Sequence, residues 1–274
     1  MVRAINRDQL RKQFDELGFV TSIRVADPFD ANRIRDEFDA LEAAEGRDRC
    51  QVGLVDRHTD VEFVWRLATR PEVLDAVEAV MGPDILLLAT HFFCKYPPAS
   101  GVAGPRVGWA RGGTEPESTE EKLAERYVAW HQDVTYWGLE PPYALTAWYA
   151  VDDSDVENGC MRVIPGTHDT LRPHRSAERL GNLLSINQEV ETAEGEDRAV
   201  DLPLLAGEIS LHHGLLIHGS NPNRSARRRC GLTIRYVHPG VRVAAANSLN
   251  RPWRAILVRG SDPNGHFGRA EAPF

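Results

Sequence analysis

The hydrophobic period of this chain changes near residue 84, and neither an all-helical nor an all-β architecture accommodates that change. Upstream, Leu10, Phe14 and Leu17 recur at helical spacing and predict a first helix that Gly18 terminates. Ile34, Phe38 and Leu41 mark the buried stripe of a second, with Asp30 as its N-cap and Gly46 as its stop. A third runs through DVEFVWRLAT, and Pro71 opens a fourth that ends at Gly82, because the missing proline N–H costs nothing in a first turn. Downstream, the runs ILLLATHFFCKYP, ALTAWYAVD, MRVIP, LLSINQEV, EISLHHGLLIH and CGLTIRYVH are short, rich in β-branched and aromatic residues, and bounded by turn formers. Helices first and strands afterwards, without βα alternation, predict an α+β chain built on an antiparallel sandwich or jelly roll.

The expected organisation is a single domain over 1–274, helical to about 83, a β core over about 84–240 and a tail over 241–274. Residues 97–125 break the pattern: they are rich in Gly and Pro and then strongly charged, which predicts a lid-like insertion just ahead of the most chemically distinctive stretch. With 32 Lys and Arg against 40 Asp and Glu, and no basic stripe, the chain lacks the electrostatic footprint of a nucleic-acid binder. Its apolar runs, such as Ile85 to Ala89, fall far short of the roughly 20 residues a membrane span requires. The N-terminus shows no secretory pattern, so the expected location is the cytoplasm. Cys50, Cys94, Cys160 and Cys230 form no CxxC pair, which predicts reduced core residues and neither a zinc ribbon nor a disulfide framework.

That distinctive stretch is Trp130-His131-Gln132-Asp133. On a strand, side chains at i and i+2 share a face, so His131 and Asp133 project together as two legs of a chelate while Gln132 points away. The third leg has candidates in His212, His213 and His218. Strand parity does not separate His212 from His218; the place of His218 at a strand end, beside a turn and with Arg229 beyond it, favours it on chemistry. Two imidazoles and one carboxylate on one side of a metal leave positions open, as in non-haem Fe(II) oxygenases. They also leave a divalent ion with net positive charge that attracts an anionic chelating co-substrate. Arg229, expected to face His218 across a hairpin, offers the planar fork that a distant carboxylate needs, and Ser220 adds a hydroxyl.

The ordered set His131-Gln132-Asp133, Tyr136-Trp137, Trp148, Asn158-Gly159, Ile164-Pro165-Gly166-Thr167-His168, His218-Gly219-Ser220 and Arg229 resembles the phytanoyl-CoA dioxygenase family of Fe(II)/2-oxoglutarate oxygenases. The resemblance runs from about Leu86 to Tyr236; the N-terminal helices resemble the family only in kind and the last forty residues hardly at all. It implies a double-stranded β-helix (jelly roll, cupin-like) core with the N-terminal helices packed on the major sheet. It also implies Fe(II) on His131, Asp133 and His218, and 2-oxoglutarate held by Arg229 with Ser220 and Lys95, Gln132 being grouped with them. Trp137 is expected beside the co-substrate or the iron, Tyr136 is grouped with it around the substrate, and Trp148 is expected in the core. O2 is the second co-substrate, and oxidative decarboxylation of 2-oxoglutarate to succinate and CO2 drives the chemistry. Halogenating relatives replace the carboxylate by a small residue, so the retained Asp133 implies hydroxylation or a related oxidation.

The substrate reads as a small polar molecule: a natural-product intermediate, an amino-acid-like or an aminophosphonate-like compound. Arg106, Trp109 and Arg111 on the insertion, Arg57 and His58 from the helical side, and His168 are the candidate contacts. The tail is expected to cover the site or to serve an oligomer contact, in a monomer or homodimer. A metal-binding jelly roll without catalysis and a protein side-chain hydroxylase are the competing readings.

Overall fold

A computed structural model describes residues 6–98, 126–176, 181–184, 188–191, 196–244 and 253–274. Helix α1 (Arg7–Leu17) starts at Asn6, whose side chain accepts from the Gln9 amide, and stops at a left-handed Gly18. Strand β1 (Phe19–Arg24) follows at once, within a stretch whose sequence reads as helical. Its partner is β10, almost two hundred residues away, so no local pattern announces the pairing.

Helix α2 (Pro28–Glu45) begins earlier than expected. Asp27, not Asp30, is the cap, accepting from the Phe29 and Asp30 amides with Pro28 in the first turn. Asp30 instead accepts from Arg70 at 2.8 Å. A short helix α3 (Arg47–Val52) and a 3-10 turn at Arg57–Thr59 come next, where the sequence showed only a stop. Helices α4 (Glu62–Ala68) and α5 (Pro71–Met81) lie where the period and the proline put them.

The β region comprises β2 (Ile85–Lys95), β3 (Val128–His131), β4 (Leu139–Glu140), β5 (Leu145–Ala150), β6 (Met161–Val163), β7 (His174–Ser176) and β8 (Gln188–Val190). It continues through β9 (Val200–Leu202), β10 (Glu208–His213), β11 (His218–Ser220), β12 (Arg229–Val237), β13 (Arg242–Val243), β14 (Arg254–Arg259) and β15 (Gly268–Arg269). Among the described residues the major sheet runs β1-β10-β5-β12-β2-β14-β15 and the minor sheet β3-β11-β6-β9. Pairing is antiparallel except between β14 and β15, and small ladders join β4 to β13 and β7 to β8. This is an α+β jelly roll.

The helices cover one face of the major sheet. Phe38, Phe63, Leu67, Val77, Phe92, Leu232, Ile234 and Tyr236 share the main apolar core, and the Tyr236 hydroxyl donates to the Ala68 carbonyl at 2.7 Å. The opposite face meets the minor sheet, and their inner faces enclose a cavity lined by Phe93, Trp148, His212, Thr233 and Arg235 from one and Val128, His131, Met161 and His218 from the other. The tail is part of the sheet: β14 pairs with β2, and the Trp253 indole donates to the Trp137 carbonyl at 3.2 Å. No described helix is long and apolar enough to cross a membrane.

Candidate functional site

His131 and His218 occupy directly opposed register positions on β3 and β11, so cross-strand pairing alone stacks their rings, with centroids 4.1 Å apart. Asp133 does not share a strand with His131. β3 ends at His131, and Asp133 opens a 3-10 turn over Asp133–Tyr136 that swings its carboxylate back towards the imidazoles. Asp133 Oδ1 lies 3.5 Å from His131 Nε2 and 4.0 Å from His218 Nε2. The three residues offer ligand atoms within 4.8 Å of one another, all buried.

Each ligand candidate is oriented from behind. The Nδ1 atoms of His131 and His218 sit 2.9 Å from the carbonyls of Ala129 and Leu216, two residues earlier in each case, which leaves Nε2 free to face the cluster. The Thr146 hydroxyl donates to Asp133 Oδ2 at 3.0 Å, and His212 Nε2 lies 3.6 Å from the same oxygen. Burial drives the His218 pKa well down, helped by the neighbouring imidazoles, so the ring is neutral as a ligand must be. Burial pushes the Asp133 carboxyl up, but Arg235 and the histidines outweigh it and hold the group ionised. Two imidazoles and one carboxylate, all buried and converging on one point, fit a divalent metal.

At the Ser220 end of the cavity lies a pair of basic side chains, one lining it and one behind Ser220. Lys95 and Arg229 are directly opposed on β2 and β12 and are 1% and 2% exposed. Lys95 Nζ donates to Ser220 Oγ and the Asn221 carbonyl, and Arg229 donates to the Gly159 carbonyl at 3.1 Å and approaches Ser220 Oγ at 3.4 Å. Among the described residues neither has a carboxylate within salt-bridge distance. Burial first and mutual repulsion second depress Lys95 far below its ordinary pKa. A buried guanidinium and a buried amine, adjacent and without a counter-charge, fit an incoming anion.

Gly159 and Gly231 make this arrangement possible. Gly159 has φ +78°, and a Cβ there would come 2.3 Å from the Asn221 carbonyl. At Gly231 a Cβ would meet the Trp148 ring at 2.0 Å, and the Arg229 guanidinium lies 5.4 Å from the centroid of that ring. Trp148 is therefore a wall of the cavity as well as a core residue.

Other expected contacts fall elsewhere. His218 and Arg229 do not form a hairpin, because β11 belongs to the minor sheet and β12 to the major one; the intervening turn crosses between sheets. Gln132 is fully buried, but its amide donates to the Thr170 and Leu215 carbonyls and accepts from the Arg172 amide, so it ties loops together outside the cavity lining. His168 and His213 stack at 5.5 Å beside Phe14 and Tyr143, away from the cluster. His58 bonds Thr90 beneath the helices, and Arg57 pairs with Glu45 and Asp60. Trp137 is buried against Trp253 and under the Arg235 guanidinium, 5.0 Å from its ring. Arg106, Trp109, Arg111 and almost all of the 97–125 insertion, together with the side chain of Tyr136, lie outside the described residues. Sequence reasoning weighed His212 only as an alternative third ligand and missed Thr146 and Arg235 as neighbours of Asp133; alternation on β5 and β12 was the available signal.

A jelly roll enclosing a two-histidine, one-carboxylate cluster defines the non-haem oxygenase class. The family model for phytanoyl-CoA dioxygenase (PhyH) matches residues 8–231, and the chain belongs to that family and is an oxygenase. The match reaches back to the N-terminal helices, further than the motifs alone indicated. Peroxisomal phytanoyl-CoA dioxygenases of Bos taurus and Homo sapiens are 27% and 26% identical, each over 82% of this chain and 67% of the relative. Among solved structures, the non-heme monooxygenase ThoJ is 26% identical with a TM-score of 0.73, covering 96% of this chain and 88% of ThoJ. CytC3, solved with Fe(II) and alpha-ketoglutarate, shares the fold at 18% identity and a TM-score of 0.63, over 96% and 92% of the two chains.

Proposed function

We propose that the protein is an Fe(II)- and 2-oxoglutarate-dependent dioxygenase that hydroxylates a C–H bond of a small polar molecule, a natural-product intermediate or an amino-acid-like or aminophosphonate-like compound. The observation that carries this reading is the juxtaposition, in one cavity, of the His131, Asp133 and His218 cluster with Arg229 and with Ser220, which Lys95 backs from behind. His131, Asp133 and His218 would hold the metal. Arg229, Lys95 and Ser220 would take the remote carboxylate of 2-oxoglutarate, a bidentate fork and a point charge acting on one anion. When bound, iron and 2-oxoglutarate supply the oxidising chemistry with O2, releasing succinate and CO2.

The chain's own work is positioning. The carbonyls of Ala129 and Leu216 fix the imidazole tautomers, Thr146 fixes the carboxylate rotamer, and Trp148 carries the Arg229 guanidinium flat. The aromatic and aliphatic walls, Phe93, Trp148 and Met161, exclude water from the reacting centre.

Anaerobic addition of Fe(II) and 2-oxoglutarate should give a visible metal-to-ligand charge-transfer band. Asp133→Ala should abolish it and Arg229→Ala should raise the 2-oxoglutarate concentration that it needs. A wild-type protein with neither the band nor uncoupled succinate formation would rule the reading out. Succinate release stimulated only by a peptide would replace the small-molecule substrate with a protein one.

A further inference from the structure

Among the described residues, Arg235 is the one cavity-lining cation that the proposed metal and 2-oxoglutarate sites do not employ. It lies on the same strand and the same face as Arg229, six residues further along β12, about 20 Å at the strand's rise per residue. Arg229 is at the Ser220 end of the cavity; Arg235 is at the Asp133 end, with a guanidinium nitrogen 3.7 Å from Asp133 Oδ1. Arg235 is only 9% exposed, and its Nε has no hydrogen-bond partner. The guanidinium is held against the Trp137 ring at 5.0 Å, and Trp137 is itself packed by Trp253. A flat, pre-oriented cation with unspent donors faces the cavity.

The charges decide what it waits for. A divalent metal on the cluster and a 2-oxoglutarate dianion cancel each other. Two arginines, Arg229 and Arg235, then stand against the single carboxylate of Asp133. Once Asp133 gives its charge to a metal, the contact at 3.7 Å no longer compensates Arg235. The nearby His91 is neutral, its pKa pushed down to about 4 by burial and then by Arg235, and its Nε2 is engaged with the Val52 carbonyl. His212 is likewise neutral in its buried position. No described group besides Asp133 is placed to neutralise Arg235.

Resting on the oxygenase reading above, we infer that Arg235 is the substrate anchor, and that the substrate carries an anionic group, a carboxylate or a phosphonate, which docks on the Arg235 guanidinium beside Trp137. The fork would take two oxygens of that group, and the adjoining carbon skeleton would lie along the cavity lining. Anchoring at the Asp133 end would keep the rest of the molecule in the cavity that His131, Asp133 and His218 line.

The test uses full-length protein loaded anaerobically with Fe(II) and 2-oxoglutarate, titrated with phenylphosphonate, phenylacetate and the uncharged phenylacetamide. Perturbation of the visible band and quenching of tryptophan fluorescence from Trp137 and Trp253 report binding without turnover. Wild type should bind the better of the two anions at least about tenfold more tightly than the amide, the scale of one charge-assisted pair. Arg235→Gln and the shape-conserving Arg235→Met should erase that preference, scored per molecule that shows the visible band. Equal binding of anions and amide by wild type would overturn the inference without any variant. So would variants that keep the preference, or a loss of 2-oxoglutarate binding matching that of Arg229→Ala, which would move Arg235 to the co-substrate site. Absence of the band in wild type would instead count against the oxygenase reading itself.

Discussion

The two faces of β12 are equally buried and chemically opposite. Towards the helices it presents Cys230, Leu232, Ile234 and Tyr236, all in the main core; towards the minor sheet it presents Arg229, Gly231, Thr233 and Arg235. Every one of its nine residues is buried, so burial alone says nothing about which face works. What differs is the cover: helices pack one side solidly, whereas the facing sheet leaves a gap that polar groups line. A strand can thus carry stability on one parity and chemistry on the other.

Substitutions of opposite parity sharpen that contrast, and the largest effect belongs to the apolar face. Leu232→Ala should cost about 2–5 kcal/mol in chemical denaturation, a core truncation that leaves a cavity, while 2-oxoglutarate binding per folded molecule stays unchanged. Across the strand pair, Lys95→Met should do the reverse. It removes a buried amine whose charged form has no counter-charge, so the melting temperature should change less than in Leu232→Ala. Loss of a charge-assisted contact worth about 1.5–3 kcal/mol should raise the 2-oxoglutarate requirement roughly 10- to 150-fold. Equal melting losses in the two variants would break the division of labour.

Gly231→Ala tests whether the working face is also sterically built. A methyl at 2.0 Å from the Trp148 ring should displace the indole and cost about 1–3 kcal/mol, with a matching loss of the Arg229-dependent co-substrate site. The smallest effect is expected at the sheet's far edge. Trp253→Phe keeps the aromatic packing on Trp137 but loses the bond to its carbonyl, a change of about 0.5–1.5 kcal/mol readable in a thermal melt.

Residues whose signal is local were legible from the sequence: the αL stop at Gly18, the first-turn Pro71, and the β-rich runs after residue 84. Asp27 was overlooked because Asp30 also suits a cap, and only the side-chain bonds separate them; Asp30 is drawn off by Arg70. β1 was hidden for another reason, since a six-residue strand between two amphipathic helices has its partner at the other end of the chain. At the site, the family motifs singled out His131, Asp133, His218, Lys95 and Arg229, and the structure gathers all five around one cavity or its rim. His212, Thr146 and Arg235 carry no motif, and their nearness to Asp133 is a product of strand pairing.

By itself the sequence determined the kinds of group available and their parity: alternation puts Arg229 and Arg235 on one face of a strand and keeps Leu232 off it. It also placed two imidazoles and a carboxylate where a metal chemistry was the economical reading. Only the tertiary structure decided which groups meet. Register set His131 opposite His218 and Lys95 opposite Arg229, a 3-10 turn brought Asp133 round to the first pair, and a crossover between sheets separated His218 from Arg229. The reason is physical: side-chain direction is fixed by each residue's own backbone, whereas a neighbour across a sheet is fixed by hydrogen bonds to a strand that lies far away in the chain.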